Sequence, residues 1–156
     1  MSHSVDEIDR KILEALQIDS RQSIADIADS VGLSKSACHR RVKLLEEHGI
    51  IDRYTAVLNA AALGYSLTFV VDVTLRAQTD DVMTAFENSV RRLPQVLECQ
   101  LMTGRDDYIL RVVAQSAEDY EATHHRIARL PGVETIQSSL SLRTVKAWTG
   151  LPVRQP

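Results

Sequence analysis

The sequence predicts an α+β chain in two parts, an N-terminal winged helix-turn-helix followed by a ferredoxin-like βαββαβ unit. Three observations carry this. Two short amphipathic patterns meet at Gly32, the apolar period changes from helical to alternating after Gly49, and beyond residue 60 the periods follow the order β-α-β-β-α-β.

The first helix is signalled by Ser4 as a candidate cap, Asp6 and Glu7 in its first turn, and the stripe Ile8, Ile12, Leu13 and Leu16. The second opens on Ser23-x-x-Asp26, a capping-box-like start, and presents Ile24, Ile27, Ala28 and Val31 to a core. Gly32 supplies a left-handed turn. The third helix begins after Ser34, a good N-cap, with Cys38, Val42 and Leu45 recurring at i, i+4 and i+7. Its other face carries Ser36, His39, Arg40 and Lys43, with Lys35 in the first turn and Arg41 beside them. Residues 35–43 thus hold four cations and no acid, whereas the whole chain has a net charge of −3. A basic ridge on the second helix of such a pair is suited to a DNA major groove, with Ser36, His39 and Arg40 at base edges and Arg41 and Lys43 on phosphates. The alternative is a helix pair with a solvated charged face.

After the third helix, Ile50 to Leu58 is rich in β-branched and aromatic residues and reads as a wing or linker strand, with a domain boundary near residue 60. Leu67, Phe69, Val71, Val73 and Leu75 alternate as a strand, and Val82, Phe86, Val90 and Leu93 follow at helical spacing. Leu97, Cys99 and Leu101 make a second strand and Tyr108 to Ala114 a third. Ala117, Tyr120, His124, Ile127 and Leu130 make another helix, stopped by Pro131-Gly132, and a long last strand runs from Val133 to Trp148. In this order both helices cover one face of a four-stranded antiparallel sheet. The other face, with Val70, Glu98, Gln100, Met102 and Gln137, is mixed enough to expect a second copy of the chain against it.

Composition bounds the function. The chain has 156 residues, 44% of them hydrophobic and 25% charged, which is ordinary for a globular protein. Two cysteines without metal spacing suggest buried thiols in a reducing cytoplasm rather than a disulfide, and neither a basic-apolar leader nor a membrane span is evident. No metal or cofactor is expected. No Ser, His and Asp set, phosphate loop or CxxC motif supports catalysis, and His124-His125 point about 100° apart on a helix, so the chain reads as a non-enzyme. An RNA-binding sheet would need aromatics on its central strands, where aliphatic residues, Gln and Glu stand instead. A stand-alone amino-acid sensor without DNA function is a further alternative, opposed by the basic helix.

Several stretches together carry a family resemblance: Ile8-Asp9-Arg10-Lys11-Ile12-Leu13; Gly32-Leu33-Ser34; Cys38 to Val42 with Leu45-Glu46 and Gly49-Ile50-Ile51; Gly104-x-x-Asp107-Tyr108-Ile109-Leu110; Leu130-Pro131-Gly132-Val133; and Val145-Lys146. Over residues 6 to about 147 the chain resembles the Lrp/AsnC family, the leucine-responsive or feast/famine transcriptional regulators. The resemblance implies an operator-binding protein whose C-terminal sheets dimerise face to face, which assembles further into octamers and binds an amino acid or a derivative between subunits. It implies three regions: a DNA-binding domain over 1–50, a linker strand over 51–60, and an effector-binding and oligomerisation domain over 61–156. It places the effector loop at Met102, Thr103, Gly104, Asp106, Asp107 and Tyr108, facing Ile136, Gln137 and Ser138. Chemically, Gly104 admits a carboxylate to backbone N–H groups, Asp107 suits an α-ammonium and Gln137 either end of a zwitterion. Asp106 stands where the family usually has an aromatic or small residue and Ile136 where it often has threonine, so the ligand stays open. Gly104 to Asp107 also reads as a plain hairpin turn.

Overall fold

The computed structural model describes residues 4–153. They form two compact units, one made of residues up to Val57 together with those from Lys146 on, the other of Leu58–Val145.

The first unit holds α1 (Glu7–Ile18), α2 (Ile24–Val31) and α3 (Lys35–Glu47). Asp6, not Ser4, caps α1: its carboxylate accepts from Asp9 N–H at 2.8 Å, and Asp9 returns the bond to Asp6 N–H. A carboxylate two residues nearer the helix satisfies the orphan amides that Ser4 would have to reach. Ser23 and Ser34 cap α2 and α3, and Gly32 between them has φ 72°. Ile12, Ile27, Ala28, Cys38, Val42 and Leu45 close the core of this unit.

The second unit contains a 3-10 turn at Ala61–Leu63, then β1 (Leu67–Leu75), α4 (Asp80–Val90), β2 (Val96–Leu101), β3 (Tyr108–Ala114), α5 (Ala117–Ala128) and β4 (Val133–Leu140). The sheet order is β2-β3-β1-β4, all pairs antiparallel. Val71, Val73, Leu110 and Val112 turn to one face and pack with Phe86, Val90 and Ile127 of the two helices. Val70, Asp72, Ile109, Arg111 and Gln137 alternate with them on the other face, where Val70 is exposed.

Two further expectations are corrected. Residues 52–59 carry no ladder, and Val57 is 95% exposed. The composition is that of a strand, but among the described residues no neighbouring strand accepts it. The last strand ends at Leu140 rather than Trp148 because its partner begins at Leu67; one further bond, Ser141 N–H to Thr68 C=O, exhausts the ladder. By packing, the residues from Lys146 on cluster with the first unit.

Candidate DNA-binding and effector sites

On α3 the buried side fixes what the other side presents. Cys38 and Leu45 are fully buried and Val42 nearly so, which leaves Lys35, Ser36, His39, Arg40 and Lys43 exposed on the remaining arc. Ser34 Oγ accepts from Ala37 N–H at 3.3 Å and lies 3.2 Å from Ser36 Oγ. The first turn of α3 contains no acid, so its positive end is left to an outside anion.

Arg41 is not part of this free surface. Its Nη1 donates to Asp6 Oδ2 at 2.7 Å and to Asp9 Oδ1 at 2.8 Å, and Asp9 is 1% exposed. Arg41 therefore ties α3 to the capping box of α1, and the two carboxylates offset the charge expected to meet a phosphate. The hydrogen bonds to Asp9 and Asp6 raise its pKa further, while the backbone N–H of Asp9 and the Arg41 guanidinium lower that of Asp6. Helical spacing could not have shown this, because the acids lie more than thirty residues away in sequence. Lys43 keeps a solvent-exposed pair with Glu47 at 3.5 Å, of the kind that contributes little and exchanges readily.

In the second unit, the β2–β3 connection closes with Met102 N–H on Asp107 C=O at 2.8 Å, and Gly104 takes φ 138°. Asp107 is 6% exposed; its carboxylate accepts from Leu75 N–H at 2.7 Å and from the Gln78 side-chain amide. Asp106 accepts from Thr74 Oγ1 at 3.2 Å. Met102, Thr103 and Asp107 line a cavity of about 290 Å3 together with Gln78, Met83 and Leu101. Tyr108 points away from it into the core, its ring tilted against Phe86 and its hydroxyl on Glu87 at 2.9 Å.

The expected partners on β4 do not join this cavity. Ile136 pairs with Val73 and packs in the core, Gln137 pairs with Asp72 on the open face, and Ser138 pairs with Val71. β1 stands between β4 and β3, so within one chain two strand spacings, about 9–10 Å, separate them from the loop. Gln78 and Met83 were not legible as site residues, since a lone Gln after a strand and a helical Met give no periodic signal.

A basic, solvent-facing helix after a glycine turn, joined to an α/β unit with a small polar-apolar cavity, defines a helix-turn-helix transcriptional regulator with a sensing domain. Comparison with known proteins agrees for both units. Residues 5–46 match the AsnC-type helix-turn-helix domain and residues 68–151 the Lrp/AsnC ligand binding domain. The chain is 39% identical over 150 residues to the Bkd operon transcriptional regulator of Pseudomonas aeruginosa, covering 96% of this chain and 98% of that protein. It is 36% identical over 151 residues to the leucine-responsive regulatory protein of Escherichia coli, covering 96% and 92%. A transcriptional regulator of Neisseria meningitidis, solved as a complex with L-Met, superposes with a TM-score of 0.91 at 33% identity over 96% of this chain and 97% of that one. The chain belongs to the Lrp/AsnC family of transcriptional regulators.

Proposed function

We propose that the chain binds operator DNA as a homo-oligomer built from dimers, up to an octamer, and that an amino acid or a close derivative sets its affinity or its assembly. Ser36, His39 and Arg40 read base edges, while Ser34, Lys35 and Lys43 contact the backbone. Met102, Thr103, Gly104, Asp106 and Asp107 hold the effector, with Gln78 and Met83 added to the set. Ile136, Gln137 and Ser138 enter the site from a second copy, an arrangement that accommodates their separation from the loop within one chain. Asp107 still has acceptor capacity, because a carboxylate offers about four directions and Leu75 and Gln78 take two.

The observation that carries this reading is the cavity beside the β2–β3 loop. At about 290 Å3 it lies near the lower bound, about 300 Å3, of small-molecule pockets, which suits a ligand of amino-acid size. The L-Met complex of the Neisseria regulator and the leucine-responsive name of the E. coli relative supply the chemical class. Ligand bound between subunits changes the spacing of recognition helices, provided that its affinity differs between the two assemblies. The protein acts by binding, not catalysis, and works in the cytoplasm; among the described residues no helix is long and apolar enough to cross a membrane.

The test is a thermal-shift screen with L-methionine, L-leucine and the other amino acids, followed by footprinting on DNA selected by the protein. An amino acid that raises the melting temperature and alters the footprint supports the reading. A complete set without either effect removes the effector assignment.

A further inference from the structure

Beyond β4 the chain makes an interaction that the helix-turn-helix fold does not require. Leu151 N–H donates to Gln17 Oε1 at 2.6 Å, and Leu151 C=O accepts from Gln17 Nε2 at 3.0 Å. One side-chain amide thus gives the two bonds that a peptide group of a neighbouring strand would give. Two residues later, Val153 C=O accepts from Arg10 Nη1 at 2.7 Å, a charge-assisted bond. Arg10 and Gln17 are seven residues apart and share a face of α1, so the tail runs antiparallel to the helix.

The tail's own residues suit this geometry. Gly150 has φ 107°, and a Cβ there would lie 2.1 Å from Gln17 Oε1. Pro152 has no N–H that docking would leave unpaired, and its fixed φ lowers the entropy lost when an extended segment is held. Leu151 and Val153 add apolar surface to a groove whose other walls include Leu13, Leu16, Ile50 and Val57.

The geometry points to a main-chain-reading peptide site on α1, formed by Arg10 and Gln17 and filled by the chain's own residues 150–153. Its role is that of a latch. The DNA-binding unit is attached to the rest of the chain twice, covalently through residues 52–60 and by the hydrogen bonds of the docked tail, and this second attachment limits the half-site spacings that a pair of recognition helices spans. The docking itself does not depend on the proposed function; the limit on spacing rests on it, through operator binding by a dimer.

The experiment uses the full-length protein, its Gln17→Ala and Gly150→Ala variants, and a chain stopped after Thr149. Hydrogen exchange at the Leu151 amide reads the docking. It is protected in the wild type, including at dilutions where sedimentation shows monomer, and exchanges at least tenfold faster in Gln17→Ala. Lack of protection in the wild type overturns the site, and protection lost on dilution overturns the choice of occupant by placing the tail on a second copy. Affinities are then measured on DNA selected by the wild type and on the same DNA with half-sites moved apart by five base pairs. In all three variants the preference for the selected spacing falls at least fivefold, while affinity for a single half-site is unchanged. An unchanged preference in a variant whose Leu151 amide is released overturns the latch. A wild type that is monomeric on its selected DNA also overturns the limit on spacing, together with the dimer reading, and leaves the exchange result to decide the peptide site.

Discussion

Replacing Arg41 separates two roles that the sequence alone could not distinguish. In Arg41→Ala the bond to Asp6 disappears from a half-exposed carboxylate, which costs up to about 1 kcal/mol. The bond to Asp9 is different, because that carboxylate is 1% exposed and the guanidinium 28%. Removing one member of a fully buried pair costs about 3–5 kcal/mol. Here the arginine is partly in water and Asp9 keeps the Asp6 N–H, so the two arms together come to about 2–3 kcal/mol. Urea unfolding followed by helical circular dichroism measures the loss, and a cycle with Asp9→Asn isolates the pair, with an expected coupling of about 1 kcal/mol or more. DNA binding supplies the decisive contrast. A phosphate-binding cation contributes about −0.9 to the slope of log K against log salt. Arg41→Ala leaves that slope unchanged, whereas Lys35→Ala makes it shallower by about that amount. A shallower slope for Arg41→Ala, with a stability loss below about 0.5 kcal/mol, would refute the clamp and return Arg41 to the DNA surface.

Arg40→Ala weakens binding to selected DNA by about 1–3 kcal/mol with no change in unfolding midpoint, as measured by titration at fixed salt; equal affinity removes Arg40 from the reading surface. Asp107→Ala lowers stability by about 2–3 kcal/mol, because Leu75 N–H and the Gln78 amide lose their acceptor, and it abolishes any amino-acid thermal shift. An intact shift would restrict Asp107 to holding the turn. Burial pushes the Cys99 thiol up to about 11, so its alkylation by iodoacetamide at pH 8 runs about a hundredfold below that of an ordinary thiol and climbs with pH toward that value. A rate like that of free cysteine contradicts the packing. Residues 58–145 expressed alone sediment as a dimer or larger, since the open sheet face carries an exposed Val70 and a half-buried Ile109; a monomer rejects the proposed dimer face.

Local rules made most of the fold legible. Periodicity placed all five helices and the four strands of the sheet, because each element buries one face of its own, and serine caps and Gly32 marked the helix-turn-helix junction. The departures are non-local. Residues 52–59 have strand composition, but a strand is a property of a pair. Residues 141–148 look like a continuation of β4 until the length of β1 is known. In the sites, the exposed arc of α3 was readable, whereas the commitment of Arg41 to Asp6 and Asp9, and of Asp107 to Leu75 and Gln78, depends on tertiary approach that no spacing encodes.

The pairing of Phe69 with Leu140 brings the two ends of the second unit side by side, at neighbouring strands and the same end of the sheet. In sequence that unit lies between Val57 and Lys146, both of which belong to the first. By packing, the second unit is an insert in the first, and adjacent ends are the condition under which one unit accepts another in its chain. It follows that the module is a cassette. A different ligand-binding unit with neighbouring termini could replace residues 58–145 and leave both segments of the reading head intact, so that regulators of this build can acquire new signals by exchange of one contiguous block rather than by remodelling of the DNA-binding surface.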